Sequence, residues 1–176
     1  MQKIIYYLVK LVGKTLHKED MLLRNYFRSK GIKIIGETSH IYSNIVTAEP
    51  WLIEIGDNVT ISTEVSFVTH DNSIIKVDKS CPNLYGKIKI GNNCFIGQRA
   101  LILYGVELAD NIIVASGSVV ANSFDESNII IGGNPAKKIG NWDNFYEKNK
   151  DYALSRYVAK DKIYKNPSLL IKRKTK

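Results

Sequence analysis

Between Ile90 and Phe124 the chain repeats itself every six residues, reading IGNNCF, IGQRAL, ILYGVE, LADNII, VASGSV and VANSF. Each segment opens on a branched aliphatic residue: Ile90, Ile96, Ile102, Leu108, Val114 and Val120. An alternating strand would need apolar residues at every second position, and an amphipathic helix at every third and fourth, so a period of six matches neither. It marks a repeat architecture, in which each unit buries its apolar face only against its neighbours. The unit is a short extended stretch followed by a corner, where Gly, Asn and Asp tolerate the positive φ that a tight turn needs. Three hexapeptides closing one coil stack residues eighteen apart, Ile90 on Leu108, Ile96 on Val114 and Ile102 on Val120, each coil lying about 4.8 Å above the last and joined to it by parallel-sheet hydrogen bonds. An ordinary sandwich of short strands would space its turns irregularly instead.

The flanking sequence extends and interrupts this pattern. IIGETS and IYSNIV start the repeat at residues 35 and 41, TAEPWLIE at 47–54 breaks its phase, and Ile55, Ile61 and Phe67 restore it. From Asp71 to Lys87 no hexapeptide phase survives, which predicts an ejected loop of the kind that carries function in tight folds. Beyond Phe124 one more strand is expected at Ile129–Ile131, after which Pro135 and its neighbouring glycines stop the repeat. Residues 3–28 read as one amphipathic helix, with Ile4, Leu8, Leu11, Val12 and Leu16 on one stripe. That helix either packs on the coil or docks on an anionic membrane surface. Residues 142–158 have helical spacing and are expected to cap the open end, and the last ten residues read as disordered. Three segments result: 1–30 helical, 31–140 the repeat domain with its loop at 71–87, and 141–176 a helical cap with a basic tail.

Charge narrows the partners. The 25 Lys and Arg exceed the 17 Asp and Glu, for a net charge of +8. The excess sits at the two ends and not on a surface where bases could be read, so nucleic-acid binding is not expected. Cys81 and Cys94 are too few for a disulfide framework or a metal cluster, and Cys94 fills a fifth hexapeptide position that suits a small buried residue. With no apolar run of membrane-spanning length and no signal-peptide pattern, a cytoplasmic location is the default expectation.

Of the three histidines, His17 falls among helix charges and His40 at an outward corner. His70 stands where the regular coil yields to the ejected loop, followed by Asp71. The residues alone leave it equally a structural or exposed side chain and a member of a cleft.

Two motifs add a family likeness. VSFVTHD at 65–71 resembles the segment bearing the catalytic histidine in hexapeptide-repeat sugar and surface-polysaccharide O-acetyltransferases. VASGSVV at 114–120, followed by IGGNPAKKIG at 131–140, resembles their acetyl-CoA-binding stretch. The likeness covers roughly residues 31–140. It implies an all-β solenoid, a left-handed parallel β-helix, whose hand runs against the usual right-handed crossover. It also implies a homotrimer with active sites between subunits.

On this likeness His70 is the general base that takes a proton from an acceptor hydroxyl, while Asp71 either orients the imidazole or binds solvent. Backbone groups around Gly97, Gln98, Ser116 and Gly117 would hold the pantetheine arm, with Phe95 beside the thioester end. Asn134 and Pro135 also belong to the cofactor-binding stretch, and Lys137 and Lys138 just after them would meet the CoA phosphates as point charges. Asn44, Glu49, Trp51 and Tyr85 are the candidates to line the acceptor site. Relatives often carry Thr-Lys where this chain has Ala121 and Asn122, so the chain departs from the family pattern where a phosphate or adenine contact is expected. Carbonic anhydrases of the same fold hold zinc through three histidines, and the coil region here has only His40 and His70, so no metal is expected. The resemblance thus implies an acetyl-CoA-dependent O-acetyltransferase of saccharide hydroxyls, in bacterial capsule, O-antigen or other surface-glycan assembly. A serine, amino-sugar or antibiotic acceptor, or a non-catalytic trimeric scaffold, are the alternatives.

Overall fold

The computed structural model describes residues 2–80, 82–154, 163, 165, 166, 168, 170 and 171. These fall into two compact units, 1–139 and 140–176.

In the first unit the chain visits three parallel sheets in rotation. One coil opens with β1 (Lys33–Ile34) and β2 (His40–Ile41); the next holds β3 (Ile53–Ile55), β4 (Thr60–Ile61) and β5 (Ser66–Phe67). The ejected loop is bounded by β6 (His70–Asp71) and β7 (Leu84–Tyr85). Two full coils follow, β8 (Ile88–Ile90), β9 (Phe95–Ile96) and β10 (Leu101–Ile102), then β11 (Glu107–Leu108), β12 (Ile112–Val114) and β13 (Val119–Val120). β14 (Ile129–Gly133) and β15 (Ala136–Asn141) come last. The first face is ordered β1-β3-β8-β11, the second β15-β14-β12-β9-β4-β2, and the third β13-β10-β5.

The register is the one the hexapeptide period demands. Ile90 pairs with Leu108, Ile96 with Val114 and Ile102 with Val120. The preceding coil adds Ile55, Ile61 and Phe67 beneath the same columns. Each of these apolar residues is buried, and together they form one continuous core. Cys94 lies in it, and burial pushes its thiol up to about 11. At the corner between the first and second faces, Asn58, Asn93 and Asn111 all take φ of 52–61°. Their amides chain from coil to coil, Asn58 donating to Asn93 and Asn93 to Asn111, each at 2.7 Å. Asparagine suits this place because it accepts the left-handed conformation and pairs with its own kind on the next turn.

Four segments depart from the sequence expectation. The amino-terminal helix is two helices, α1 (Gln2–Thr15) and α2 (Glu19–Ser29), because His17 adopts a φ of 55° and the Lys18 N–H turns back to the Gly13 carbonyl at 2.9 Å. A Cβ on Gly13 would stand 2.6 Å from Glu19 Cα, so the helices meet backbone to backbone there. The ejected loop has some regular structure, with β6 and β7 antiparallel at its base and a 3-10 turn at Ser73–Lys76. The glycines after Ile131 do not end the sheet: Gly132 and Gly133 belong to β14, and β15 returns alongside it. In the second unit, α3 is shorter than expected, Trp142–Asn149 with the Asn141 side chain accepting from the Asn144 N–H, followed by a 3-10 turn at Lys150–Tyr152. The rest of that expected helix, and most of the last ten residues, lie outside the described residues.

The second helix joins the coil at its open edge. Leu23 and Phe27 are buried. Arg28 donates from Nε to the Ile34 carbonyl at 3.2 Å and from Nη2 to the Gly36 carbonyl at 2.9 Å, and Arg24 Nη1 donates to the Ser39 carbonyl at 2.9 Å. The Tyr6 hydroxyl adds a bond from α1 to the Tyr42 carbonyl at 3.0 Å. Burial first, then the neighbouring Tyr7 and Glu19, push the Tyr6 hydroxyl up to about 12.

The stacked columns set a test. Ile96 is fully buried between Ile61 and Val114, so Ile96→Ala should lower unfolding free energy by about 2–5 kcal/mol. Denaturant titration reads this directly, and a loss well under 1 kcal/mol would mean the column does not bear the fold.

Candidate active site

The inserted loop marks where the site is built. Column partners are 18 residues apart in the later coils, such as Ile90 and Leu108, but 35 apart between Ile55 and Ile90, so this coil carries 17 extra residues. They leave the coil at the corner between the third and first faces. His70 stands at that exit and pairs with Tyr85 across the base of the loop. Their rings lie 5.8 Å apart at 45°. The loop's far end is tied down by Lys87, which with Lys33 flanks the buried Glu54 at 2.8 and 3.1 Å. Those two ammonium groups, Lys87 first, hold the Glu54 carboxyl below the usual carboxylate range.

Beneath His70 lies a closed ring of hydrogen bonds. His70 Nδ1 is 2.8 Å from Glu49 Oε2, and the Thr69 hydroxyl donates to that same oxygen at 2.7 Å. Thr69 is buried. Since its proton is committed to Glu49, the 2.6 Å contact with Thr47 is one in which Thr47 donates. Thr47 in turn accepts from the Glu49 N–H at 3.2 Å. The Thr69 and His70 bonds, in that order, hold the Glu49 carboxyl below its usual range. An ionised carboxylate only accepts hydrogen bonds, so the proton of a neutral His70 ring sits on Nδ1 and the lone pair on Nε2. The ring remains 41% exposed while Glu49 is only 14% exposed, so the anchor is shielded and the basic nitrogen is reachable.

Glu49 therefore holds the place beside His70 that the sequence left open to Asp71. The Asp71 carboxylate turns away: it accepts from the Ser73 N–H at 2.7 Å, and that bond, with a smaller contribution from Tyr104, holds it below the carboxylate range. Sequence reasoning had Glu49 only as an acceptor-lining residue and missed Thr47 and Thr69. Trp51 is exposed on the 3-10 turn Pro50–Leu52 that Glu49 precedes, and Asn44 is half-buried earlier in the same coil. Tyr85 walls the histidine from the loop.

The residues expected to hold CoA gather elsewhere, at the corner between the second and third faces. Gly97 and Gln98 stack on Ser116 and Gly117, with the Gly97 N–H bonded to the Val114 carbonyl at 2.9 Å and the Gly117 N–H to the Gln98 carbonyl at 2.8 Å. A Cβ on Gly97 would come within 2.6 Å of Ser116 N, so only glycine fits. Gly117, at φ 72°, has nothing within 4 Å of where a Cβ would stand, which leaves an open backbone-lined ledge. Phe95 projects from the second face, exposed, beside it. Asn134 and Pro135 form the β14–β15 turn, brought to the same corner by the Gly133 N–H bond to Ser118 Oγ at 3.3 Å. Lys137 is exposed on β15, whereas Lys138 is paired with Glu126. Within one chain, then, the histidine cluster and the glycine ledge occupy two different corners of the coil. Among the described residues no group of three or more His, Cys, Asp and Glu side chains is arranged to hold a metal ion.

The hydrogen-bond ring predicts a pH signature. A carboxyl held below its ordinary range stabilises the fold fully above the unfolded carboxylate range, about pH 4.3, and loses that contribution as pH falls through the lowered native value. Glu49→Gln should therefore lower the thermal midpoint by a constant margin above about pH 6, with the gap to the parent closing in acid. A gap that widens in acid would contradict the assignment.

Residues 87–122 match the family model described as the hexapeptide repeat of succinyl-transferase. Protein CapG of Staphylococcus aureus is 43% identical over 122 residues, covering 66% of this chain and 70% of that protein. Galactoside O-acetyltransferase of Escherichia coli K12 is 25% identical over 130 residues, covering 73% of this chain and 62% of the other. Among solved structures, a hexapeptide-repeat acetyltransferase of Vibrio cholerae O1 biovar eltor complexed with acetyl coenzyme A superposes with a TM-score of 0.56. It is 27% identical and covers 64% of this chain and 61% of that one. The chain thus spans less than two thirds of the length of the last two. With the six-residue period, the parallel columns and these likenesses together, the chain belongs to the hexapeptide-repeat acetyltransferases.

Proposed function

We propose that this protein is an acetyl-CoA-dependent O-acetyltransferase that acetylates a saccharide hydroxyl, in bacterial capsule, O-antigen or other surface-glycan assembly. The observation that carries the reading is the Glu49–His70 contact of 2.8 Å, which directs the Nε2 lone pair outward at a loop-walled corner. An alcohol is a poor nucleophile at neutral pH until a base takes its proton. His70 Nε2 removes that proton as the oxygen attacks the thioester carbonyl, and returns it to the departing thiolate as the C–S bond breaks. Glu49 orients the ring throughout and balances the imidazolium charge. A backbone N–H by the loop supplies the oxyanion donor. The open ledge at Gly117 suits a narrow pantetheine arm, which acetyl-CoA carries, and Lys137 is placed for its phosphates. The acceptor binds among Asn44, Trp51 and Tyr85.

The coil is inferred to be left-handed, as in the family, and the active form a homotrimer in a cytoplasmic setting. Support for the trimer comes from the separation of the two half-sites: one chain's His70 needs another chain's ledge.

His70→Ala should lower turnover by about a hundredfold or more while leaving acetyl-CoA affinity near the parent value. A thiol-release assay against a panel of saccharides reads both the rate and the acceptor. Parent-like turnover would remove His70 from its role, and no thiol release with any acceptor would favour a scaffold. A mixing experiment addresses the shared site. Arg99 already adopts a φ of 60° at the position beneath Gly117, so Gly117→Arg is tolerated by the backbone while its side chain fills the ledge. Chains carrying His70→Ala or Gly117→Arg should each be inactive alone, yet regain turnover when co-expressed. No recovery would mean that each site is built within one chain.

A further inference from the structure

The first helix is turned inside out relative to its own sequence. Tyr6 and Gly13 are buried and Val9 packs on the core, so this is the face α1 offers to the rest of its unit. Its long aliphatic stripe points the other way. Ile4, Tyr7, Leu8, Leu11, Val12 and Leu16 are each 47–66% exposed. An apolar stripe is normally the face a helix buries, and a continuous exposed one marks a surface that something else covers.

Charge says what covers it. The helix QKIIYYLVKLVGKT contains Lys3, Lys10 and Lys14 and no acidic residue, and Lys18 follows in the turn. Lys10 and Lys14 lie one turn apart on a single flank of the exposed stripe, beside Tyr7. Lys14 and Lys18 are exposed, while Lys10 lies half-buried over the Tyr6 ring and 4.0 Å from Glu19. A helix of 14 residues is about 21 Å long at 1.5 Å per residue, too short for a hydrocarbon core of about 30 Å. No helix among the described residues is long and apolar enough to cross a membrane. What this pattern suits is a helix lying in the interface plane, its aliphatic side sunk at the acyl boundary and its lysines at the height of anionic headgroups. A second copy packed antiparallel on the same face would instead bring lysine against lysine.

We infer that α1 docks the protein peripherally on an anionic phospholipid bilayer, through its outward stripe of Ile4, Leu8, Leu11 and Val12. The docking stands independently of the acetyl-transfer reading, since it rests on a different element and has a readout without turnover.

The test uses the full chain and vesicle flotation. The protein should float with phosphatidylglycerol–phosphatidylcholine vesicles, stay behind with pure phosphatidylcholine, and be released by high salt. Because both side chains are already in solvent, the Leu8→Glu/Leu11→Glu variant should keep the parent's circular dichroism and thermal midpoint, while vesicle affinity falls about tenfold or more. A parent protein that fails to float with anionic vesicles overturns the inference, as does a double variant that floats equally well. If the double variant instead dissociates an oligomer seen for the parent by light scattering, with vesicle binding absent in both, the stripe is a contact between copies and the lipid assignment is wrong.

Discussion

Each face of this molecule is pinned by apolar side chains standing on one another from turn to turn: Ile55, Ile90 and Leu108 on the first, Ile61, Ile96 and Val114 on the second, Phe67, Ile102 and Val120 on the third. Parallel hydrogen bonds alone would not choose a register, because sliding a strand by two residues restores them. The columns do choose, since only one alignment puts apolar residues over apolar residues and keeps lysine, glutamate and asparagine outside. The strands can then be as short as two residues. Their stability comes from the stack and not from their own length.

A perfect repeat would have made a featureless rod. The proposed site forms where the period fails. The TAEPWLIE interruption delivers Thr47 and Glu49 from one coil, and the 17-residue excursion begins at Thr69 and His70 on the next. Neither departure makes a site alone. Stacked, they close a ring of hydrogen bonds whose buried threonine fixes a carboxylate, which fixes a tautomer. The scaffold contributes rigidity at the base of the histidine and freedom at its tip.

How much of this was legible follows from the range of each interaction. The columns could be read because period six is a local pattern that one stacking rule converts into contacts. His70 and the glycine ledge were singled out through motifs. The partner of His70 was not, because Glu49 lies 21 residues back, across a phase break that hides which residues stack, and adjacent Asp71 was the nearer guess. Asp71 is drawn off by the Ser73 N–H, a turn that residue pairs of this spacing often make. Reading one long helix at the start failed for a similar reason: nothing in LHK announces that His17 will take a left-handed conformation. The apolar stripe of α1 was visible in the sequence, but its direction was not, because which side of a helix meets the core is decided by the partner. Here Gly13, the smallest residue, and not the aliphatic stripe, is what allows the close approach.

The arginines of α2 have a wider meaning. A stack of parallel strands ends in a row of unused N–H and C=O groups, and an unused row invites another molecule to continue it. Arg24 and Arg28 occupy the carbonyls of Ile34, Gly36 and Ser39 with guanidinium groups, which have no acceptor to offer in return. At those three carbonyls, growth in that direction is opposed chemically and not merely obstructed. The same six-residue grammar that would otherwise propagate into a filament is thereby held to a finite particle, and the length of the object is written in two basic side chains outside the repeat.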